Sequence, residues 1–157
     1  MALDLSYVEK VTHTDADDAS LCDSSSDQLS LYGTARGRIL AYLREHNALV
    51  SCEPPEPPHA EDFGLDAPVP YPWSVETDDP RVVAFWAAHD ASLATEIAEP
   101  GIPAFKLESN DGWLVTPREI AATLDLLAAA PAPQDELITR FVAFLRGAVE
   151  HGGFTVD

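Results

Sequence analysis

The sequence predicts an α+β domain, with about four α-helices packed on a small, mainly antiparallel sheet. Two patterns carry this prediction. Four segments place apolar residues at the three- and four-residue intervals of an amphipathic helix. Short apolar runs bounded by Pro, Gly, Asn or Asp stand between them, too brief for helices and suited to strands. At 157 residues, 46% hydrophobic and 23% charged, the chain fits a single ordinary domain over 1–157.

Leu3, Leu5 and Tyr7 alternate with polar residues, which predicts a first strand within 3–11. The segment 12–28, THTDADDASLCDSSSDQ, has few large apolar side chains to offset its ordering entropy and reads as an acidic loop. A helix is expected from Thr34 to His46. Its inward residues are Ile39, Leu40 and Leu43, with Thr34 as N-cap and Asn47 at the left-handed terminus. Ala48 to Cys52 reads as a short buried strand that stops at prolines. Seven prolines between Glu53 and Asp79 exclude a helix or central strand there. The apolar residues of this second irregular acidic segment, 53–79, suggest that it lies on a core: Phe63, Leu65, Val69, Tyr71, Trp73 and Val75.

Asp79-Pro80 is a strong helix start, an Asp cap followed by Pro at the first helical position. This helix is expected to reach about Ala98, with Val82, Trp86, His89, Leu93 and Ile97 on one face and Phe85 beside them. Ala104–Leu107 and Trp113–Val115, separated by Glu108-Ser-Asn-Asp-Gly112, read as a β-hairpin near 104–115 with Gly112 at positive φ. Thr116-Pro-Arg-Glu119 spells a capping box ahead of Ile120, Leu124 and Leu127. A last helix over 133–151 turns Leu137, Phe141, Phe144, Leu145 and Ala148 to one side. Phe154-Thr-Val156 adds a final strand.

The net charge is −18, from 27 acids against 9 Lys and Arg. Its distribution matters more than its size. Residues 1–28 carry −6 and residues 53–79 carry −8 with no Lys or Arg at all, whereas 29–52 carry +2 and 80–157 carry −6. The acidity belongs to loops. Direct nucleic-acid binding through a basic face and attraction to an anionic membrane are disfavoured, since both need clustered cations. No apolar run is long enough to span a bilayer, and the N-terminus lacks the pattern of a signal peptide, so a cytoplasmic protein is expected. In that compartment Cys22 and Cys52 read as free thiols.

Catalytic and ligand motifs are few. Asp15-Ala-Asp17-Asp18 lacks the glycine and terminal glutamate of a calcium loop. The five histidines (His13, His46, His59, His89 and His151) form no HExxH and join no CxxC, so neither a metal nor a cofactor is expected. His89 and Asp90 are the one pair with acid/base potential, but neighbouring helix residues diverge by about 100°. A core histidine is the blander reading. Nucleophile elbows and phosphate-binding loops are absent.

The leading expectation is therefore a small acidic protein-binding module, immunity- or antitoxin-like, that engages a basic protein partner through its acidic loops. Asp15, Asp17, Asp18, Glu53, Glu56, Glu61 and Asp62 would steer the partner, and Tyr71 and Trp73 would anchor it. The rival expectation is an enzyme with a pocket near the 79–98 helix using His89 and carboxylates. A third is an acidic mimic of nucleic acid, which would need its carboxylates on rigid elements.

Overall fold

A computed structural model describes residues 2–7, 28–32, 34–71 and 79–156. Asp15, Asp17, Asp18, Cys22 and Trp73 lie outside the described residues, as do 8–11 of the expected first strand. The chain divides into two compact units, Met1–Glu53 with Glu96–Asp157, and Pro54–Thr95.

In the larger unit, β1 (Ala2–Tyr7) lies at the middle of the sheet, antiparallel to β2 (Gln28–Tyr32). The far end of the chain supplies its other neighbour. β6 (Phe154–Val156) pairs antiparallel with β1 and with β5 (Trp113–Val115), giving the order β2-β1-β6-β5. The registers Leu5↔Leu29, Leu5↔Val156 and Val115↔Phe154 bring these apolar side chains onto one face, where all are buried. β2 adds a strand not foreseen from the sequence, although Leu29 and Leu31 do alternate with polar neighbours.

The helices α1 (Thr34–Glu45), α4 (Pro117–Ala128) and α5 (Glu136–Glu150) complete this core. They contribute Ile39, Leu43, Ile120, Phe141 and Leu145, each 1% exposed or less. Burying such a side chain is worth about 1.5–3 kcal/mol. The expected terminators are in place: Asn47 has φ 54, and both halves of the Thr116–Glu119 capping box are formed. Asp135 caps α5 by accepting from the Leu137 amide. The expected strand at 48–52 is reduced to β3 (Leu49–Val50), parallel to β4 (Ile102–Pro103). Gly101 permits this pairing, because at its φ of 123° a Cβ would come within 2.8 Å of the Ala48 carbonyl oxygen.

The α+β class holds, but the hairpin near 104–115 does not form. Ala104–Glu108 is the short helix α3, and β5 pairs with β6. A run as short as Ala104–Leu107 cannot distinguish helix from strand by periodicity, and here two tertiary gains decide. β6 offers Phe154 and Val156 to β5, and the helical turn lets Lys106 reach acceptors on Leu114 and Glu119. Gly112 does take positive φ, as the sequence indicated, but in a helix-to-strand turn.

The smaller unit consists of a 3-10 turn over Ala60–Phe63 and α2 (Pro80–Leu93) with its connections. Asp79 caps α2 as expected, accepting from the Arg81 amide. The helix stops at Leu93, short of Ala98. There Ser92 donates to the His89 carbonyl and Thr95 to that of Ala91, local bonds that compete with continued helix. Its buried residues are Val82 and Phe85, so the buried stripe is offset from the one through Trp86 and His89.

Candidate functional site

In the smaller unit, α2 acts as a rail on which the acidic segment is laid. Phe63, closing the 3-10 turn, meets Phe85 edge-on with ring centroids 5.6 Å apart. Gly64 follows at φ 66, and its carbonyl accepts from Arg81 Nη1 at 3.0 Å. Five residues along the helix, Trp86 Nε1 donates to the Pro70 carbonyl at 2.9 Å and stacks on Tyr71 at 4.6 Å. These contacts fix both ends of 63–71 without using any acidic side chain of that segment.

Glu56, Glu61, Asp62 and Asp66 are all exposed in this unit. None forms an ion pair with a Lys or Arg among the described residues. Among the described residues their one basic neighbour is His59, 3.1 Å from Glu56. That hydrogen bond raises its pKa above the ordinary histidine value, with the charges of Glu56, Asp62 and Glu61 adding to the effect. The unit's one arginine is Arg81, and its guanidinium turns back onto Asp79, with Nη2 2.7 Å from Oδ2. Those bonds hold the Asp79 carboxyl below the usual carboxylate range.

Tyr71, an expected anchor, is 49% exposed and rests on Trp86. Glu53, at the end of the first segment of the larger unit, is exposed. The sequence pattern marks Trp86 only as a helix-face residue. Its role in holding Pro70 and Tyr71 has no local signal, because its partners lie about four turns away in chain length.

His89 and Asp90 lack the geometry of a relay. His89 Nδ1 is 3.6 Å from the Asp90 carboxylate, beyond hydrogen-bond distance, and is buried with no hydrogen-bond partner among the described residues. The ring lies edge-on to Trp86 at 5.0 Å, and the Asp90 side chain points to solvent with 79% exposure.

The larger unit holds a different charged cluster, around the start of α4. Lys106 Nζ donates to the Leu114 carbonyl at 2.7 Å and to both carboxylate oxygens of Glu119 at 2.9 Å, which satisfies all three ammonium protons. Glu119 Oε2 also accepts from the Thr116 amide, so one carboxylate serves the helix cap and the buried lysine together. Burial pushes Lys106 below and Glu119 above their ordinary values, and each charge pulls the other back. Cys52 is a free, half-buried thiol whose pKa is raised by burial and then by Glu99 and Glu119, so its thiolate is disfavoured. With every polar group paired, this cluster is a structural joint.

The arginines of α1 are engaged within the same unit. Arg36 donates to the Leu107 carbonyl, Arg38 pairs with Asp135, and Arg44 pairs with Glu108. A pocket of about 720 Å³ lies beside Arg38, Asp135 and Arg140. A second, of about 410 Å³, is mostly apolar and includes Tyr42, Leu124, Pro131 and Val142. Neither includes His89. Among the described residues no group of three or more His, Cys, Asp or Glu is placed to hold a metal. No helix among them is long and apolar enough to cross a membrane. No family model, curated protein or solved structure matches this chain. The functional reading therefore rests on the geometry of the acidic segment.

Proposed function

We propose that the protein is a binding module that engages a basic protein partner through its acidic segment, with the immunity- or antitoxin-like role of masking that partner. One observation carries this reading. Glu61, Asp62 and Asp66 stand exposed on a stretch that packs on α2 through Phe63, Gly64 and Pro70, with Glu56 exposed just before it, while the unit's one arginine is spent on Asp79. Carboxylates presented in this way make a negative field that no neighbouring Lys or Arg cancels. Such a field raises the encounter rate with a cationic surface and selects against anionic ones.

Most of the carboxylates sit on irregular backbone, so they do not reproduce the regular phosphate spacing that a nucleic-acid mimic needs. A preformed protein surface of opposite charge is the better fit. The test is affinity capture with the whole protein at about 50 mM and 500 mM salt, in parallel with a variant carrying E56Q, E61Q, D62N and D66N. The proposal predicts a basic partner retained by the unaltered protein at low salt and lost at high salt or with the variant. Retention of the same partner by the variant, or no basic partner at low salt, overturns it.

A further inference from the structure

We propose that the cleft at the α4–α5 junction of the larger unit binds a small zwitterion with a bulky apolar body, the chemistry of a free aromatic amino acid. This inference is independent of the partner-binding reading, because no residue of the 54–95 unit lines the cleft. Its volume is about 410 Å³, within the roughly 300–1,000 Å³ of pockets that enclose small ligands. The sequence accounts for the space. α4 ends at Ala128, and the connection to α5 begins Ala129-Ala130-Pro131-Ala132-Pro133. Prolines there cannot extend the helix, and alanine side chains are too short to fill the gap between the two helices. Leu124 and Leu127 from α4, Val142 from α5 and Tyr42 from α1 complete an apolar wall.

Two charged side chains line the same cleft, Asp125 on α4 and Arg146 on α5, and neither has a partner among the described residues. For a cation this is unusual here. Of the nine Lys and Arg, Lys10 lies outside the described residues. Six of the others, Arg36, Arg38, Arg44, Arg81, Lys106 and Arg118, are bonded to a carboxylate or a carbonyl. Arg140 and Arg146 are the two that are not, and Arg140 lies at the other pocket. Arg146 follows Val142 by four residues and Asp125 precedes Ala128 by three, so each charge adjoins the cleft wall of its own helix. Opposite charges that share a cleft without pairing leave room for a molecule between them.

An α-amino acid carries both complementary charges on one carbon. Its carboxylate can take two parallel N–H bonds from the Arg146 guanidinium while its ammonium faces Asp125. A simple anion would meet Asp125 and a chain of net charge −18, and a simple cation would meet Arg146. The wall selects the body of the ligand. Burying a ring against Leu124, Leu127 and Val142 supplies most of the affinity, and the two charges fix its orientation.

The experiment is an NMR titration of the full chain at about pH 6, where carboxylates are ionised and amines protonated. The probes are L-phenylalanine, its amide, 3-phenylpropionate and glycine, the last three lacking in turn the carboxylate, the ammonium and the ring. The proposal predicts that phenylalanine binds and shifts the backbone amides of Ala128 and Ala130, and that each of the others binds about tenfold more weakly or worse. Arg146→Gln and Asp125→Asn, both at exposed positions, should each weaken phenylalanine binding about tenfold. Arg140→Gln, which removes the other unpaired arginine of α5, should bind like the unaltered protein. If phenylalanine does not bind, or binds Arg146→Gln or Asp125→Asn undiminished, the proposal is overturned. Binding of 3-phenylpropionate or the amide as tightly as phenylalanine overturns it too, because the paired charges would then select nothing.

Discussion

Lys106 is wholly withdrawn from solvent, and what makes that tolerable is three hydrogen bonds on its ammonium and a carboxylate 2.9 Å away. A buried pair of this kind adds little net stability over an apolar replacement, but losing one member leaves the other charge stranded. Lys106→Met is therefore expected to cost about 3–5 kcal/mol in urea unfolding. Adding Glu119→Gln should recover part of that loss, since no full charge then stays buried. A single-mutant cost under about 1 kcal/mol would show that Glu119 finds another partner. Glu96 offers a pH test close by. Hydrogen bonds from Thr116 and then Arg118 hold its carboxyl below the ordinary 4.5. A carboxylate whose folded-state pKa is depressed contributes stability above its unfolded value and loses it as pH falls through the folded one. Glu96→Gln should thus be less stable than the unaltered protein at neutral pH. The difference should shrink toward zero once the pH drops below the depressed value, as read from urea midpoints across that range.

At the scale of elements, α5 meets β1 through a glycine. Tyr7 donates its hydroxyl to the Phe144 carbonyl at 3.0 Å, and a Cβ on Gly147 would overlap the Tyr7 phenol. Helix propensity alone favours Gly147→Ala by about 1 kcal/mol. The packing predicts the opposite sign, a lower melting temperature, relieved when Tyr7→Ala is added. Elements of this kind differ in how openly the sequence announces them. The capping box at Thr116, the Asp79-Pro80 start and the apolar stripe of α5 are local signals, and each is realised where it is written. The run Ala104–Leu107 is not of this kind. Its helical state depends on Glu119 thirteen residues on, and the pairing of β5 depends on β6 some forty residues away. The face and end of α2 are not local in this way: Val82 is buried as the pattern indicates, but Phe85, beside Trp86 and edge-on to Phe63, is the buried ring, and the helix stops five residues short of Ala98. Asp90 as a helper to His89 failed for a simpler reason. Adjacent helical side chains diverge, and here the gap is 3.6 Å with no hydrogen bond.

Across the whole molecule, charge is the property most legible in the sequence and the one that the proposed function uses. The count of acids alone puts −8 on 53–79. What counting cannot give is presentation: whether Glu56, Glu61, Asp62 and Asp66 point outward, and what holds the backbone that carries them. Those depend on Arg81, Phe85 and Trp86, which the sequence marks only as helix residues. Within the larger unit the arginines of α1 are absorbed by Asp135, Glu108 and a carbonyl, so the basic stretch 29–52 has its own local employment. In the proposed function, exposed carboxylates of the 54–95 unit drive association with a cationic protein surface. That association is tested most directly by the salt dependence of the captured partner's dissociation constant. The measurement compares the unaltered protein with the variant carrying E56Q, E61Q, D62N and D66N. The expected result is steep weakening with salt for the unaltered protein, and a slope markedly flattened by the four substitutions, with weaker binding at low salt. Equal slopes and equal affinities for the two proteins would contradict it.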